Sequence, residues 1–287
     1  MCDEFIYPGL VEDARLSRRH FGLLATALAG TLATGMAGEN VVEQDVVVPT
    51  PDGQCDAALF EPKGKGRHTV ILMWPDIMGL RPAFRDMGRR LAGQGYIVLV
   101  PNPFYRSARA PVIDASFDFN NPDQRSRLFA LRKSMTDDGI DRDARAFLAF
   151  LDARPQADRK ARAGVQGYCM GGALAFRTAA ANPGRIGAVA SFHGGNGLVT
   201  NDPDSPHLLI ARTAATYLIL QARNDDAQQP GVKDVLRKAC ADAGRPTVVE
   251  VYPADHGWCV PGGQTYDPAQ AERAWSALLE LYLGALT

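Results

Sequence analysis

No part of this chain concentrates positive charge. Its 287 residues hold 31 lysines and arginines against 32 aspartates and glutamates, for a formal net charge of -1, and no stretch is basic enough to track a phosphate backbone. That argues against nucleic acid as a partner. Cysteine is also scarce. The five present, Cys2, Cys55, Cys169, Cys240 and Cys259, form no C-x-x-C pair, so paired zinc motifs and thioredoxin-type redox motifs are excluded, and a chain this long is no small disulfide scaffold. Internal repeats are missing, and low-complexity sequence is confined to the first forty or so residues. What the chain does have is bulk. With 46% hydrophobic residues it can bury a full core, and α/β folds of this size often remain one domain.

The N-terminus reads differently from the rest. Ser17-Arg18-Arg19-His20-Phe21 precedes residues 22–38, an uncharged stretch dominated by Leu, Ala, Gly and Thr. This is similar to a twin-arginine export signal, with Gly35-Met36-Ala37 supplying small residues for a signal peptidase. The expectation is a leader over residues 1–37, a single catalytic domain over 38–287, and a periplasmic or secreted product, or a cytoplasmic one if the leader is not used. The stretch is too short and too rich in glycine and alanine for a permanent membrane span. Export would allow a disulfide among Cys55, Cys240 and Cys259, provided Cys169 stays a free thiol.

After the leader, residues 41–48 and 55–60 are β-branched or alternating runs joined by Pro49-Thr50-Pro51-Asp52-Gly53, which predicts a hairpin. Strands then alternate with helices: strand 69–73, helix 83–94, strand 96–100, helix 141–153, strand 163–166, helix 173–181, strands 186–192, 216–221 and 247–252, and a last helix. Such alternation implies a mostly parallel sheet with helices on both faces. In helix 141–153, Ala144, Phe147, Leu148 and Leu151 recur at helical spacing, and in the last helix Ala271, Trp275, Leu278, Leu279 and Tyr282 do so; these stripes are core. Segment 102–136 breaks the alternation. It starts at a strand's C-terminal end, where a loop or small helix would cover a ligand site.

One turn carries the chemistry. Gly167-Tyr168-Cys169-Met170-Gly171-Gly172 lies between a strand and an alanine-rich helix, the form of a nucleophile elbow with cysteine at its tip. Strand 216–221 then runs into Ala222-Arg223-Asn224-Asp225, and strand 247–252 into Pro253-Ala254-Asp255-His256-Gly257. Nucleophile, acid and histidine in that order is the α/β-hydrolase sequence of triad residues. In a parallel sheet the three strand ends share one edge, so the residues can converge. Asp226 adjoins Asp225, and spacing alone does not separate them. Cys259 reads as packing, and His193 as structural.

With the elbow, the order and the spacing together, the chain resembles the dienelactone hydrolase family. Further matches are Ser191-Phe192-His193-Gly194-Gly195 and Trp74-Pro75-Asp76-Ile77-Met78-Gly79. The resemblance implies an α/β-hydrolase fold and a small-molecule ester or lactone substrate, with no metal or organic cofactor. It assigns Cys169 as nucleophile, His256 as base and then acid, Asp225 as the orienting acid, and the backbone amides of Ile77 and Met170 as oxyanion hole. Asp76 matches an accessory acid that contacts the resting thiol, although the family commonly has the longer glutamate there. Arg106, in a matching segment, implies carboxylate binding, and Tyr105 and Trp258 an apolar pocket. The family's second arginine is missing from Gly257-Trp258-Cys259-Val260-Pro261, which argues for a less acidic or differently held substrate. The rival readings are an esterase or thioesterase without dienelactone activity, a noncatalytic binding protein on the same fold, and a redox thiol.

Overall fold

The sheet grows from the strand runs expected above. The computed structural model describes residues 40–286 other than residue 115, so the leader, with its twin-arginine pair and Cys2, lies outside the described residues. Strands β1 (Val41–Thr50) and β2 (Gly53–Pro62) form the antiparallel hairpin, paired in register from Val41 opposite Pro62 to Thr50 opposite Gly53. The other strands are β3 (Val70–Trp74), β4 (Ile97–Pro101), β5 (Ala163–Tyr168), β6 (Ile186–Phe192), β7 (Thr216–Ala222) and β8 (Thr247–Tyr252). Their order across the sheet is β1-β2-β4-β3-β5-β6-β7-β8, and from β4 onward every pairing is parallel. The C-terminal ends of β3, β5, β6, β7 and β8 therefore lie along one edge, which is where such sheets bind ligands.

Alternation of side chains divides the core into two layers. Val70, Leu72 and Trp74 of β3 enter one layer, with Phe147, Leu148, Leu151, Leu174 and Phe176, whereas Ile71 and Met73 enter the other, with Phe84, Leu91, Leu278 and Tyr282. The first layer draws on helices α3 (Asp137–Asp152) and α4 (Met170–Ala181), the second on α1 (Pro82–Ala92) and a C-terminal helix, Pro268–Ala285. Some polar groups inside the layers pair with one another. Trp74 Nε1 donates to Thr178 Oγ1 at 2.9 Å, and Tyr282 Oη donates to Gln166 Oε1 at 2.8 Å.

Segment 102–136 contains a helix, α2 (Pro122–Lys133), started by Asn121, whose side chain accepts from the amides of Asp123 and Gln124. Its apolar periodicity is weak because only Leu128 is buried, so the pattern could not announce it. Helix α3 begins four residues earlier than the sequence predicts, at a Thr136 cap whose Oγ1 accepts from Gly139 N. All four described cysteines are free thiols, and Cys55, Cys240 and Cys259 are buried. No helix among the described residues is long and apolar enough to cross a membrane.

Candidate active site

Strand β5 ends at Tyr168 and α4 begins at Met170, leaving Cys169 alone to make the turn. Its φ of 54° and ψ of -118° are unfavourable for a residue with a side chain, a strain of about 1–3 kcal/mol. Two bonds hold the turn: Cys169 N–H donates to the Phe192 carbonyl at the end of β6, and Gly172 N–H to the Cys169 carbonyl, both at 3.0 Å. Glycine makes the approach possible. A Cβ on Gly167 would stand 1.9 Å from the Gly171 oxygen, and one on Gly171 would stand 2.6 Å from the carbonyl oxygens of both Trp74 and Pro75. The elbow is thus packed directly against the loop that follows β3. Cys169 itself is half-buried, at the N-terminal end of α4, where the helix dipole favours an anion.

His256 arrives from the loop after β8. Its backbone is fixed on both sides, the N–H donating to Asn224 Oδ1 at 2.9 Å and the carbonyl accepting from Thr265 Oγ1 at 2.7 Å. Nδ1 lies 2.8 Å from Asp225 Oδ2; a carboxylate only accepts, so Nδ1 carries the hydrogen and Nε2 is left for other work. The Cys169 side chain lies near enough to the ring to favour its charged form. Burial opposes protonation of the imidazole, but the bonds to Asp225 and Cys169 and their negative charges outweigh it and push the group up to about 10. Asp226 faces elsewhere, with both carboxylate oxygens on Lys233 Nζ at 2.7 and 2.9 Å.

Behind His256 lies His193, with 1% of its surface exposed and a φ of 40°. Its ring meets that of His256 edge to face at 4.9 Å and that of Trp258 at 5.2 Å. Burial holds its imidazole well below the ordinary histidine range, with the neighbouring His256 charge adding to the effect, so it is neutral. Neither ring nitrogen has a hydrogen-bond partner among the described residues.

The loop after β3 uses its own acid. Asp76 Oδ1 accepts from Met78 N at 2.9 Å and from Arg81 Nη1 at 2.6 Å, while Oδ2 accepts from Arg81 Nη2 at 2.8 Å. Asp76 is therefore tied to Arg81 rather than to the thiol, the contact the family resemblance implies. The other substrate-side candidates are also engaged within the fold. Arg106 donates to Asp143 at 2.7 and 2.8 Å and to Asp52 at 2.6 Å, and Tyr105 Oη donates to Asp143 Oδ1 at 2.7 Å. Trp258 is fully buried, stacked on Tyr252 at 5.2 Å. Above the loop, Val112 would be 3.3 Å from a Cβ on Gly79, and it lines a cavity of about 250 Å³ with Ile113, Phe117, Arg127 and Leu128. Segment 102–136 therefore sits beside the loop. No group of three or more metal-ligating side chains occurs among the described residues.

Two residues of this site, Arg81 and Asn224, are not evident from sequence. Asn224 gives a faint signal, preceding Asp225 in a turn, whereas Arg81 is one of several arginines around α1 and nothing in its spacing marks it.

Comparison with known proteins supplies the family. The dienelactone hydrolase family model matches residues 55–285. A Methylorubrum extorquens protein named "Putative carboxymethylenebutenolidase" is 27% identical over 294 residues, covering 95% of this chain and 94% of that protein. The carboxymethylenebutenolidase of Pseudomonas sp. (strain P51) is 34% identical over 117 residues, 40% of this chain and 46% of that protein. Among solved structures, a dienelactone hydrolase-like promiscuous phosphotriesterase, P91, from metagenomic libraries shares the fold with a TM-score of 0.70 at 20% identity, covering 86% of this chain and 100% of that one. Matched by the family model from the second strand to the last helix, the chain belongs to the dienelactone hydrolase family and is a hydrolase acting on ester bonds.

Proposed function

We propose that this hydrolase cleaves a lactone or small activated ester through an acyl-cysteine intermediate, using Cys169, His256 and Asp225 as a triad. The observations that carry the reading are the strained elbow that presents Cys169, and the His256 ring that lies 2.8 Å from Asp225 and is raised by both residues. An imidazole pushed up to about 10 is positively charged at neutral pH, and the thiolate is the reactive form of cysteine. The thiolate sulfur adds to the substrate carbonyl carbon, and the oxygen that becomes negative accepts from the amides of Ile77 and Met170. Collapse breaks the bond to the alkoxide, which takes the His256 Nε2 proton. His256 then removes a proton from water, the hydroxide displaces the thioester sulfur, and the carboxylic acid leaves with the thiolate restored.

A substrate without a carboxylate fits this site better than a carboxylate-bearing lactone. Arg106 is occupied by Asp52 and Asp143, and no arginine follows His256 through Pro261, so the cation pair that would hold a carboxylate is missing. This favours an esterase or thioesterase without dienelactone activity. Rapid quenching during turnover of an aryl ester, followed by mass spectrometry, is expected to find the acyl mass on the peptide containing Cys169. Acyl transfer with that peptide unmodified at every time point would rule out the covalent route.

Export to the periplasm through the twin-arginine route is proposed on the leader alone, on Arg18-Arg19 and the uncharged stretch after them. Replacing both arginines with lysine is expected to retain the protein in the cytoplasm. An unchanged distribution between cell fractions would remove the proposal.

A further inference from the structure

The turn after β3 has three amides, and their use is unequal. Gly79 N–H donates to the Asp76 carbonyl at 2.9 Å and Met78 N–H to Asp76 Oδ1 at 2.9 Å. Ile77 N–H donates to no protein group among the described residues. Asp76 thus takes two of the three donors for itself, one with its backbone and one with its side chain, and leaves the third free. That free amide is the one proposed above as half of the oxyanion hole. Because a Cβ on Gly171 would stand 2.6 Å from Trp74 and Pro75 oxygens, the base of the turn rests on the elbow, and its geometry is set relative to Cys169.

What holds the carboxylate in place is Arg81. Its guanidinium grips both oxygens of Asp76 at 2.6 and 2.8 Å and reaches the Gly79 carbonyl at 3.3 Å, bracing the two ends of the turn. Its Cζ lies 4.9 Å from the Phe84 ring centre. Both side chains are well buried, 11% exposed for Arg81 and 7% for Asp76. A paired charge in this environment is held firmly, because a single partner left behind is costly. A bidentate fork also fixes orientation in a way that a point charge does not.

We propose that Arg81 is a positioning residue for the ester-cleaving reaction: through Asp76 it locks the Asp76–Gly79 turn so that the Ile77 amide faces the carbonyl oxygen at Cys169. Asp76 acts on the turn and does not act on the thiol. The inference rests on the triad and oxyanion-hole reading, and it makes the loop acid a shaping group.

The test compares Asp76→Asn, Arg81→Met, Arg81→Lys and Cys169→Ala with the unaltered full chain on a small aryl ester. Active sites are counted with a thiol reagent, and thiolate formation is followed by its ultraviolet absorbance against pH. Asp76→Asn keeps an oxygen for Met78 N and loses the ion pair. The expected result is a fall of roughly 10–100-fold in kcat per active site for Asp76→Asn and Arg81→Met, with KM within about twofold, since a donor misaimed at a developing charge costs transition-state binding. Arg81→Lys recovers part of the loss, the combined Asp76→Asn and Arg81→Met variant is no worse than either single one, and the thiolate midpoint stays where it is. A purely structural role would lower thermal stability and leave kcat per folded site intact, which overturns the proposal. A moved thiolate midpoint in Asp76→Asn also overturns it, because the acid would then act on sulfur. Should Arg81→Met fail to fold, the near-isosteric Asp76→Asn decides alone. If Cys169→Ala keeps full activity, the triad reading has failed. If it is inactive while Arg81→Met keeps its kcat, only the positioning role falls.

Discussion

Cys169→Ala is expected to lower kcat/KM for an activated ester by roughly 10⁴–10⁶-fold, with His256→Ala costing about as much and the double variant little more. In the proposed mechanism the size follows from how the two side chains share one step. Without the sulfur there is no atom to form the acyl-enzyme, and water must attack directly. Without the imidazole the thiolate loses its counter-charge and the departing alkoxide loses its proton donor. Either change leaves only binding and the oxyanion amides, which is why the losses do not add. Neither substitution should damage the fold. Alanine at 169 relieves no clash and creates no large void, because the thiol is half-buried, and the turn is held by backbone bonds to Phe192 and from Gly172. Thermal unfolding within a few degrees of the parent, together with lost turnover, is the expected pair of results. Retained turnover in both single variants would remove the triad.

The positions of the elbow, the acid and the histidine were legible because they are punctuated. A glycine pair brackets Cys169, and Asp225 and His256 each follow a β-branched run, so strand ends can be counted along the chain. The alternation of strands and helices likewise shows the parallel sheet. Beyond the Asp225–His256 pair, side-chain partners were not legible. Asp76 matches a thiol-contacting acid in sequence, yet its carboxylate goes to Arg81 five residues on, a choice made by a turn that brings Met78 and Arg81 to the same oxygen. Arg106 illustrates the same limit. Its sequence context suits a substrate carboxylate, but Asp143 on α3 and Asp52 in the hairpin turn reach it first, and both are distant in sequence. Helix α2 was expected only as a loop or small helix somewhere in segment 102–136, because with one buried residue it lacks the apolar stripe that would give its bounds.

Asp225→Asn is expected to lower kcat by about 10³–10⁴-fold, while Asp226→Asn changes it by less than about threefold. The contrast tests which of two adjacent carboxylates orients the histidine. Asparagine at 225 can offer its NH₂ to Nδ1, which turns the imidazole into the wrong tautomer and places its hydrogen on the side of the thiol with no means of taking a proton from water. At 226 the loss is an ion pair with Lys233 that is partly exposed, worth about 0–1 kcal/mol of stability and remote from the ring. The pH profile gives an independent readout. His256 is held up to about 10 against its own burial by bonds and charges from Asp225 and Cys169, so the protonated, active pair is lost as pH rises through about 10. Removing Asp225 takes away one bond and one charge that both raise the group, and the alkaline limb must move to lower pH. The linked stability has the same sign. A histidine whose folded value exceeds the unfolded one, about 6.5, stabilises the fold fully below pH 6.5 and loses that contribution between there and about 10. In Asp225→Asn that window should narrow from its upper end. If Asp226→Asn instead carries the loss in kcat and the displaced limb, the geometry around His256 has been assigned to the wrong carboxylate.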